Sequence, residues 1–303
     1  MVDIEPPAAT DTEVLVDLLR ITVCGSDLHV YRGRQPCDEF PVKPGKPAHE
    51  CLARVVRPGP LEWVEEGDMV LIRPPDGDGL REGMALPPNA VIPLVTQEID
   101  PDRAVMAQML APAVHCCRRL ENPLGSSVLI IGQGPAGLTL ANIVRRMGAS
   151  PLVTCEPMPE RRRESARIAN ACVDPREDPE RAALEANDGK PYDLVIEAVG
   201  DAETIELAPR LAAHDGTVMF YGLPGLDAAV NLRGIFSKQL LLTTTEGPAR
   251  RDFELAQRMI LNGDVDVDRM ITHRMSFDEA PRGFALAESR ERGVLRVVLD
   301  LSN

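Results

Sequence analysis

Two short strings carry side chains that could do chemistry: VCGSDLH over residues 23–29 and PAHECLA over residues 47–53. Cys24, His49 and Glu50 offer a soft, a borderline and a hard donor, a set that suits a tetrahedral Zn²⁺ with one position open. A lone cysteine or histidine is more often a core residue than a ligand, so neither string is specific alone. A third string, VLIIGQGPAGLTLA, holds Gly132, Gly134 and Gly137 in G-x-G-x-x-G spacing. It follows a strand-like run and opens a helix-like one, the context a dinucleotide fingerprint requires. Gly132 allows the tight turn, Gly134 lets the backbone approach a pyrophosphate, and Gly137 permits close helix–sheet packing. The phosphates would sit at the helix N-terminus, against unpaired N–H groups and the positive end of the dipole.

Glu156 ends the next apolar run, PLVTCE, 22 residues after Gly134. A carboxylate there would accept hydrogen bonds from ribose hydroxyls and repel a 2′-phosphate, favouring NAD over NADP. Arg161, Arg162 and Arg163 keep NADP open, although two of the three read as a solvated helix face.

The elements that must position these groups change texture along the chain. Residues 1–100 break into short apolar runs (EVLVDLLRITV, ECLARVV, DMVLI, AVIPLV) between Pro and Gly, which predicts a β-rich, barrel-like module. From Asp100, PDRAVMAQMLAPAVHCCRRL spaces its apolar residues by three and four, as a helix does. Residues 127–245 alternate strand-like and helix-like pieces, which predicts a parallel sheet covered by helices. Two amphipathic stretches and a closing strand, VLRVVLDL, follow.

Composition narrows the function classes. The 303 residues carry 33 Lys+Arg against 47 Asp+Glu, a net charge of −14, so the long-range field opposes nucleic acid. With one Trp, three Tyr and six Phe, a base-stacking platform is also excluded. No 18-residue apolar run or signal peptide is evident, which predicts a cytoplasmic protein with no membrane partner. The seven cysteines include no C-x-x-C, so apart from Cys24 they read as small packing residues. His115, His214 and His273 read as structural, with His214 in a polar turn, and Tyr31 is a weak candidate for the substrate pocket.

Taken in order, CGSDLH, the His-Glu pair 25 residues after the Cys, GQGPAG, EAVG and ITHRMSFDEAPRGFALAES resemble the medium-chain, zinc-dependent alcohol and polyol dehydrogenases. The similarity is closest to the sorbitol and threonine dehydrogenase branch and spans nearly the whole chain. It implies an α/β fold: a GroES-like β-barrel catalytic domain over 1–110, an NAD-binding Rossmann doubly wound parallel sheet over 111–246, and a segment, 247–303, returning to the catalytic domain. Substrate would lie in the cleft. It implies Cys24 and His49 as ligands of a single catalytic zinc, Glu50 as a residue that binds or swaps on and off it, and Gln108 at the remaining ligand position. Gln108 is neutral, so the metal would keep a net positive charge.

Ser26 matches the hydroxyl that passes the alcohol proton, His29 the imidazole that delivers it to solvent, and Asp27 the carboxylate that orients the histidine ligand. Cofactor contacts fall on Gly132, Gly134, Pro135, Ala136, Gly137, Glu156, Arg161, Val199 and Leu223. The implied reaction is NAD-dependent interconversion of a secondary alcohol, polyol-, sugar- or cyclitol-like, with a ketone. A homodimer or homotetramer is implied, with 239–245 a candidate edge strand. Two alternatives remain: a zinc-free NAD(P)H-dependent double-bond or quinone reductase, and a catalytically silent NAD-binding protein.

Four departures from the family pattern stand out. No cysteine occurs in 72–89, where a structural zinc lobe belongs. Cys24 comes early, so the first barrel strands are expected to be missing or rebuilt. Ala48 and Ala53 replace the usual glycines around the His-Glu pair, which is expected to perturb a tight turn. TTTEG at 243–247 replaces a more usual glycine-containing turn.

Overall fold

The fold is described from a computed structural model, which covers residues 2, 4–33, 41–225, 228–289 and 293–302. Cys37 lies outside the described residues. The chain divides into two compact units, one of residues 1–111 with 250–303, the other of 112–249.

The first unit begins with β1 (Val14–Thr22), the short helix α1 (Gly25–Tyr31), β2 (Glu50–Arg57), β3 (Met69–Ile72), β4 (Gly83–Leu86) and β5 (Val91–Pro93). Helices α2 (Pro101–Val105) and α3 (Ala107–Arg119) follow. The single helical run expected from Asp100 is therefore broken at Met106. The second unit carries β6 (Val128–Ile131), α4 (Pro135–Arg146), β7 (Leu152–Cys155), α5 (Pro159–Ser165), β8 (Ala171–Val173) and α6 (Pro179–Glu185). It continues with β9 (Tyr192–Glu197), α7 (Ala202–Leu211), β10 (Ala212–Phe220), α8 (Leu232–Lys238) and β11 (Leu241–Thr244). The chain then returns to the first unit as α9 (Arg250–Leu261), β12 (Ile271–Ser276), α10 (Ala280–Ser289) and β13 (Arg296–Asp300).

In the first unit a seven-stranded sheet runs β12-β13-β1-β2-β3-β5, with β4 also on β1. Its pairings are antiparallel except β12 with β13. β1 is nine residues long and central, pairing with β2, β4 and β13. Its burial alternates in its first half, and Val14, Val16, Leu18 and Ile21 point into a core shared with Cys51, Val70 and Leu299. Ala48 and Ala53 are fully buried in that core, and neither adopts a positive φ. The expected strain at these alanines is thus absent: both backbones sit where any L-residue is comfortable.

The segment without cysteines folds as a short strap over the turn that precedes His49. Ala48 N–H donates to the Gly77 carbonyl, Gly79 N–H to that of Ala48, and Leu80 N–H to that of Gly45. Arg81 closes the strap, donating to the Asp78 carboxylate at 2.6 Å and to the Pro44 carbonyl at 3.0 Å.

Asp102, at the start of α2, ties three elements together. Its two oxygens accept from Arg20 of β1 and Arg274 of β12, and Arg20 reaches on to Asp300. Burial raises the Asp102 pKa, but the two guanidinium bonds more than offset it and hold the carboxyl below the ordinary carboxylate range. Because the folded-state pKa is depressed, this stability is present above the unfolded carboxylate pKa and lost as pH falls through the folded one. Asp102→Asn should cost about 2 kcal/mol at neutral pH, since Arg20 keeps Asp300 as a partner. Urea midpoints measured against pH should show the gap to wild type closing in acid.

In the second unit six strands run β11-β10-β9-β6-β7-β8, all parallel. β6 (VLII) and β7 (LVTC) are buried at every position, as strands covered on both faces must be. Strand order reverses beside β6, which lies between β7 and β9, so a crevice opens at the carboxyl ends of β6 and β9. His214 lies within β10, at the irregularity in its pairing between Ala212 and Thr217, where a polar turn was expected.

Candidate active site

Cys24 caps the start of α1, and the next turn supplies most of its surroundings. Asp27 Oδ2 accepts from the Cys24 backbone N–H at 2.9 Å, which fixes the helix start, and Ser26 Oγ donates to Cys24 Sγ at 3.3 Å. Asp27 is buried, and its other oxygen accepts from His49 Nδ1–H at 2.7 Å. That bond settles the imidazole tautomer and leaves Nε2 as the ring's ligand atom. His29 follows Ser26 by three residues on α1 and is half-buried. Tyr31 stacks on Phe284 of α10, with ring centroids 5.5 Å apart.

Glu50, the first residue of β2, is buried beside His49. Its Oε2 accepts from the Thr22 hydroxyl and, at 2.9 Å, from Arg296 Nη1. Arg296 opens β13, is 4% exposed, and also donates to the Val23 carbonyl. Burial pushes the Glu50 pKa up; Arg296, then His49, then the Thr22 and Cys24 hydrogen bonds overcome it, so the carboxylate is anionic.

Neither Arg296 nor Thr22 stands out in the sequence reading. The available signal is the charge itself: an arginine inside the apolar run VLRVVLDL must find a partner if the strand is buried. That partner is 246 residues away.

One ligand atom each from Cys24, His49 and Glu50 lie within 4.8 Å of one another. Donors on a tetrahedral zinc stand about 3.3–3.8 Å apart, so side-chain adjustment alone brings the three onto one ion. The electrostatics agree. Burial by itself would lower the His49 pKa, but hydrogen bonds and charge from Asp27 and Cys24 push it up to about 12. Zinc would take the place of the Nε2 proton in these surroundings, and the three donor types fit such an ion.

Gln108, buried near the start of α3, donates through Nε2 to the carbonyls of Cys51 and Ile72 at 2.8 and 2.7 Å. Its nitrogen therefore staples α3 to β2 and β3, and only its oxygen is left to face a ligand. Among the other described cysteines, Cys51, Cys116, Cys117 and Cys155 are buried and Cys172 is half-buried.

At the carboxyl ends of the parallel strands the glycine string takes the conformation its spacing predicts. Gly132 has φ +93°, and a Cβ there would meet Val199 Cγ2 at 2.6 Å. Gly134 caps α4, with Pro135 and Ala136 opening the helix. A Cβ on Gly134 would have only Arg161 Nη1 as a neighbour, at 3.7 Å. A Cβ on Gly137 would lie 1.9 Å from the Gly132 carbonyl oxygen, so only glycine lets α4 pack against the loop.

Glu156 is 3% exposed; Oε2 accepts from Gln133 N–H and Oε1 from Met158 N–H, both at 2.9 Å. Of the arginine triplet, Arg162 donates to the Glu156 and Pro157 carbonyls and pairs with Asp174. Arg163 is exposed beside Glu160, and Arg161 alone reaches the glycine loop. Leu223 lies against Gly200, across the same end of the sheet.

A soft–borderline–hard donor cluster in one unit, and a glycine loop at the reversal point of a parallel sheet in the other, define a metal- and dinucleotide-dependent class of protein. Residues 10–85 match the profile of the alcohol dehydrogenase GroES-like domain, and residues 135–262 that of the zinc-binding dehydrogenases. The chain is 27% identical over 321 residues to L-galactonate-5-dehydrogenase of Escherichia coli K12, covering 96% of this chain and 91% of that protein. It is 26% identical over 325 residues to L-threonine 3-dehydrogenase of Pyrococcus furiosus, covering 97% and 93%. Among solved structures, the alcohol dehydrogenase TADH of Thermus sp. ATN1 superposes with a TM-score of 0.85 at 24% identity, covering 99% of this chain and 95% of that one. The chain belongs to the medium-chain, zinc-binding dehydrogenase family. No helix among the described residues is long and apolar enough to cross a membrane.

Proposed function

We propose that the protein is an NAD(H)-dependent oxidoreductase interconverting a secondary alcohol and a ketone at a zinc held by Cys24, His49 and Glu50. The observation that carries this reading is the donor cluster, with His49 Nδ1 tied to Asp27 and Nε2 left to the ion. When bound, zinc supplies Lewis acidity to the substrate oxygen and the nicotinamide ring supplies the hydride acceptor. The chain's own residues do the rest. Asp27 holds His49 in one tautomer, and Thr22 and Arg296 fix Glu50 through Oε2. The Ser26 hydroxyl, which donates to Cys24 Sγ at rest, swings to give its own proton toward His29 as its oxygen accepts that of the substrate hydroxyl. His29, one helical turn on, passes that proton to solvent. Gln108, its Nε2 tied to the Cys51 and Ile72 carbonyls, keeps its amide oxygen as the alternative to Glu50 for the third ligand position.

The nucleotide reading rests on Gly132, Gly134 and Gly137 with Pro135 and Ala136 at the start of α4, walled by Val199 and Leu223. Glu156 favours NAD over NADP: each oxygen already accepts one backbone amide and keeps lone-pair capacity for a ribose hydroxyl. Arg161, at the glycine loop, meets the phosphates. Because a Cβ on Gly137 would strike backbone, Gly137→Ala should cost about 2 kcal/mol of stability. NADH affinity should fall about tenfold, read by fluorescence titration of the folded variant.

The substrate class follows the relatives, whose names specify a sugar acid and a hydroxy amino acid. A panel of polyols, sugar acids and cyclitols, assayed for NAD⁺ reduction with NADP⁺ in parallel, tests the reading. Turnover with NAD⁺ supports it, and no turnover of any secondary alcohol with either cofactor overturns it.

We further propose a homodimer or a homotetramer built from it. β11 is an edge strand, and beside it α8 buries no residue and exposes Leu232 (72%) and Phe236 (85%). Such a patch next to an open edge suits pairing with the same strand of a second copy. Light scattering should give at least two chains per particle; a monomer would contradict this. The free cysteines suit the reducing cytoplasm. A fractionation assay that finds the protein outside the cytoplasm would overturn that placement.

A further inference from the structure

We infer that Glu197 is a positioning residue of the nucleotide site, acting through the turn that follows β9; this rests on the dinucleotide reading above. Glu197 ends β9, beside β6 at the reversal point of the sheet, and is fully buried. Its Oε1 accepts from Val199 N–H at 2.8 Å, Gly200 N–H at 3.0 Å and the Thr204 hydroxyl at 2.8 Å. Oε2 shares the Gly200 N–H at 3.2 Å. Its backbone carbonyl accepts from Tyr221 and Gly222 N–H at 2.8 and 3.0 Å. One residue therefore holds both the turn after β9 and the turn after β10.

Among the described residues no Lys or Arg pairs with this carboxylate, so the converging N–H and O–H donors alone hold it in the interior. A buried acid without a cation is costly, and a neutral residue would fill the same volume more cheaply. What the acid does is shape the turn. A Cβ on Gly132 would strike Val199, one on Gly200 the Leu223 carbonyl at 2.2 Å, and one on Gly222 Gly200 N at 2.3 Å and Glu197 Oε2 at 2.7 Å. The turns after β9 and β10 thus close on Glu197, and Val199, whose N–H its carboxylate holds, lies against Gly132 of the glycine loop. A nucleotide lying along that loop meets the wall that Glu197 holds.

Glu197→Gln keeps the volume, and its amide oxygen in the place of Oε1 keeps the Val199, Gly200 and Thr204 donors; the charge is lost, and the NH₂ in the place of Oε2 faces the Gly200 N–H that Oε2 shares at 3.2 Å. NADH affinity, measured by fluorescence titration, should weaken about tenfold, and KM for NAD⁺ should rise far more than kcat falls. A merely structural role would instead lower the active fraction, reducing kcat with the NADH affinity of the remaining protein unchanged. Thr204→Val removes one donor and leaves the carboxylate in place; it should weaken NADH about threefold and decides the matter if Glu197→Gln does not fold. Wild-type NADH affinity in the folded variants, Thr204→Val included, overturns the inference and leaves the dinucleotide reading standing. A wild-type protein that binds neither NADH nor NADPH overturns both.

Discussion

Replacing Cys24 with serine should leave a folded protein that has lost its zinc and about a thousandfold of its turnover, or about 4 kcal/mol in the barrier. A serine hydroxyl is neutral at working pH and a poor ligand for a borderline-soft ion, so the substitution removes the one thiolate of the set. It also exchanges the sulfur that accepts from the Ser26 hydroxyl for a smaller oxygen on a shorter bond, which shifts the first group of the proton relay. The fold should survive because Cys24 is only half-buried and the Asp27 bond at the start of α1 is made to its backbone N–H. Metal analysis beside circular dichroism reads both arms. Stoichiometric zinc and undiminished turnover in Cys24→Ser would remove Cys24 from the metal site.

Arg296→Leu should be the most destabilising single change in the first unit, at about 3–5 kcal/mol in metal-free protein. The arginine and Glu50 are both almost completely buried, and removing the cation leaves the carboxylate only the Thr22 and Cys24 hydrogen bonds and the His49 charge to offset its burial. The Val23 carbonyl loses its Arg296 donor as well. The pH dependence carries a sign. In the wild type the Glu50 pKa is held below the ordinary range, so the pair's contribution is present above that range and lost as pH falls through the folded value. In the variant burial acts unopposed by Arg296 and raises that pKa, so the penalty is greatest at neutral pH and shrinks as acid protonates Glu50. Adding Glu50→Gln to Arg296→Leu should recover part of the loss, a coupling that urea midpoints of the four proteins would measure. Additive losses would mean the pair is not an energetic unit.

Much of this was legible in residue order. Strands with a strong apolar pattern, such as β1 and β2, fall within a residue or so of the runs that announce them. β4 (GMAL) and β8 (ACV) are too short to show a period, and pairing alone makes them strands. The helix expected from Asp100 is interrupted at Met106, a break that spacing by three and four does not reveal.

At the site, donor types and order pointed to Cys24, His49 and Glu50, because metal binding needs particular atoms and those are written in the residues. What surrounds them was not. Arg296 lies on the last strand, so its bond to Glu50 exists only through the β13–β1–β2 pairing. Donor types alone do not show what surrounds the site: Asp27 and Glu50 are both buried there, and Arg296 pairs with Glu50. Glu197 sits in the legible string EAVG, yet the donors that converge on it depend on the turns after β9 and on α7 closing together.

The central claim is that Cys24, His49 and Glu50 hold a zinc ion on which alcohol oxidation depends. Purified protein should contain one zinc per chain. Chelation should abolish secondary-alcohol-dependent NAD⁺ reduction, and added Zn²⁺ should restore it without refolding. Full turnover by metal-free protein would contradict the account.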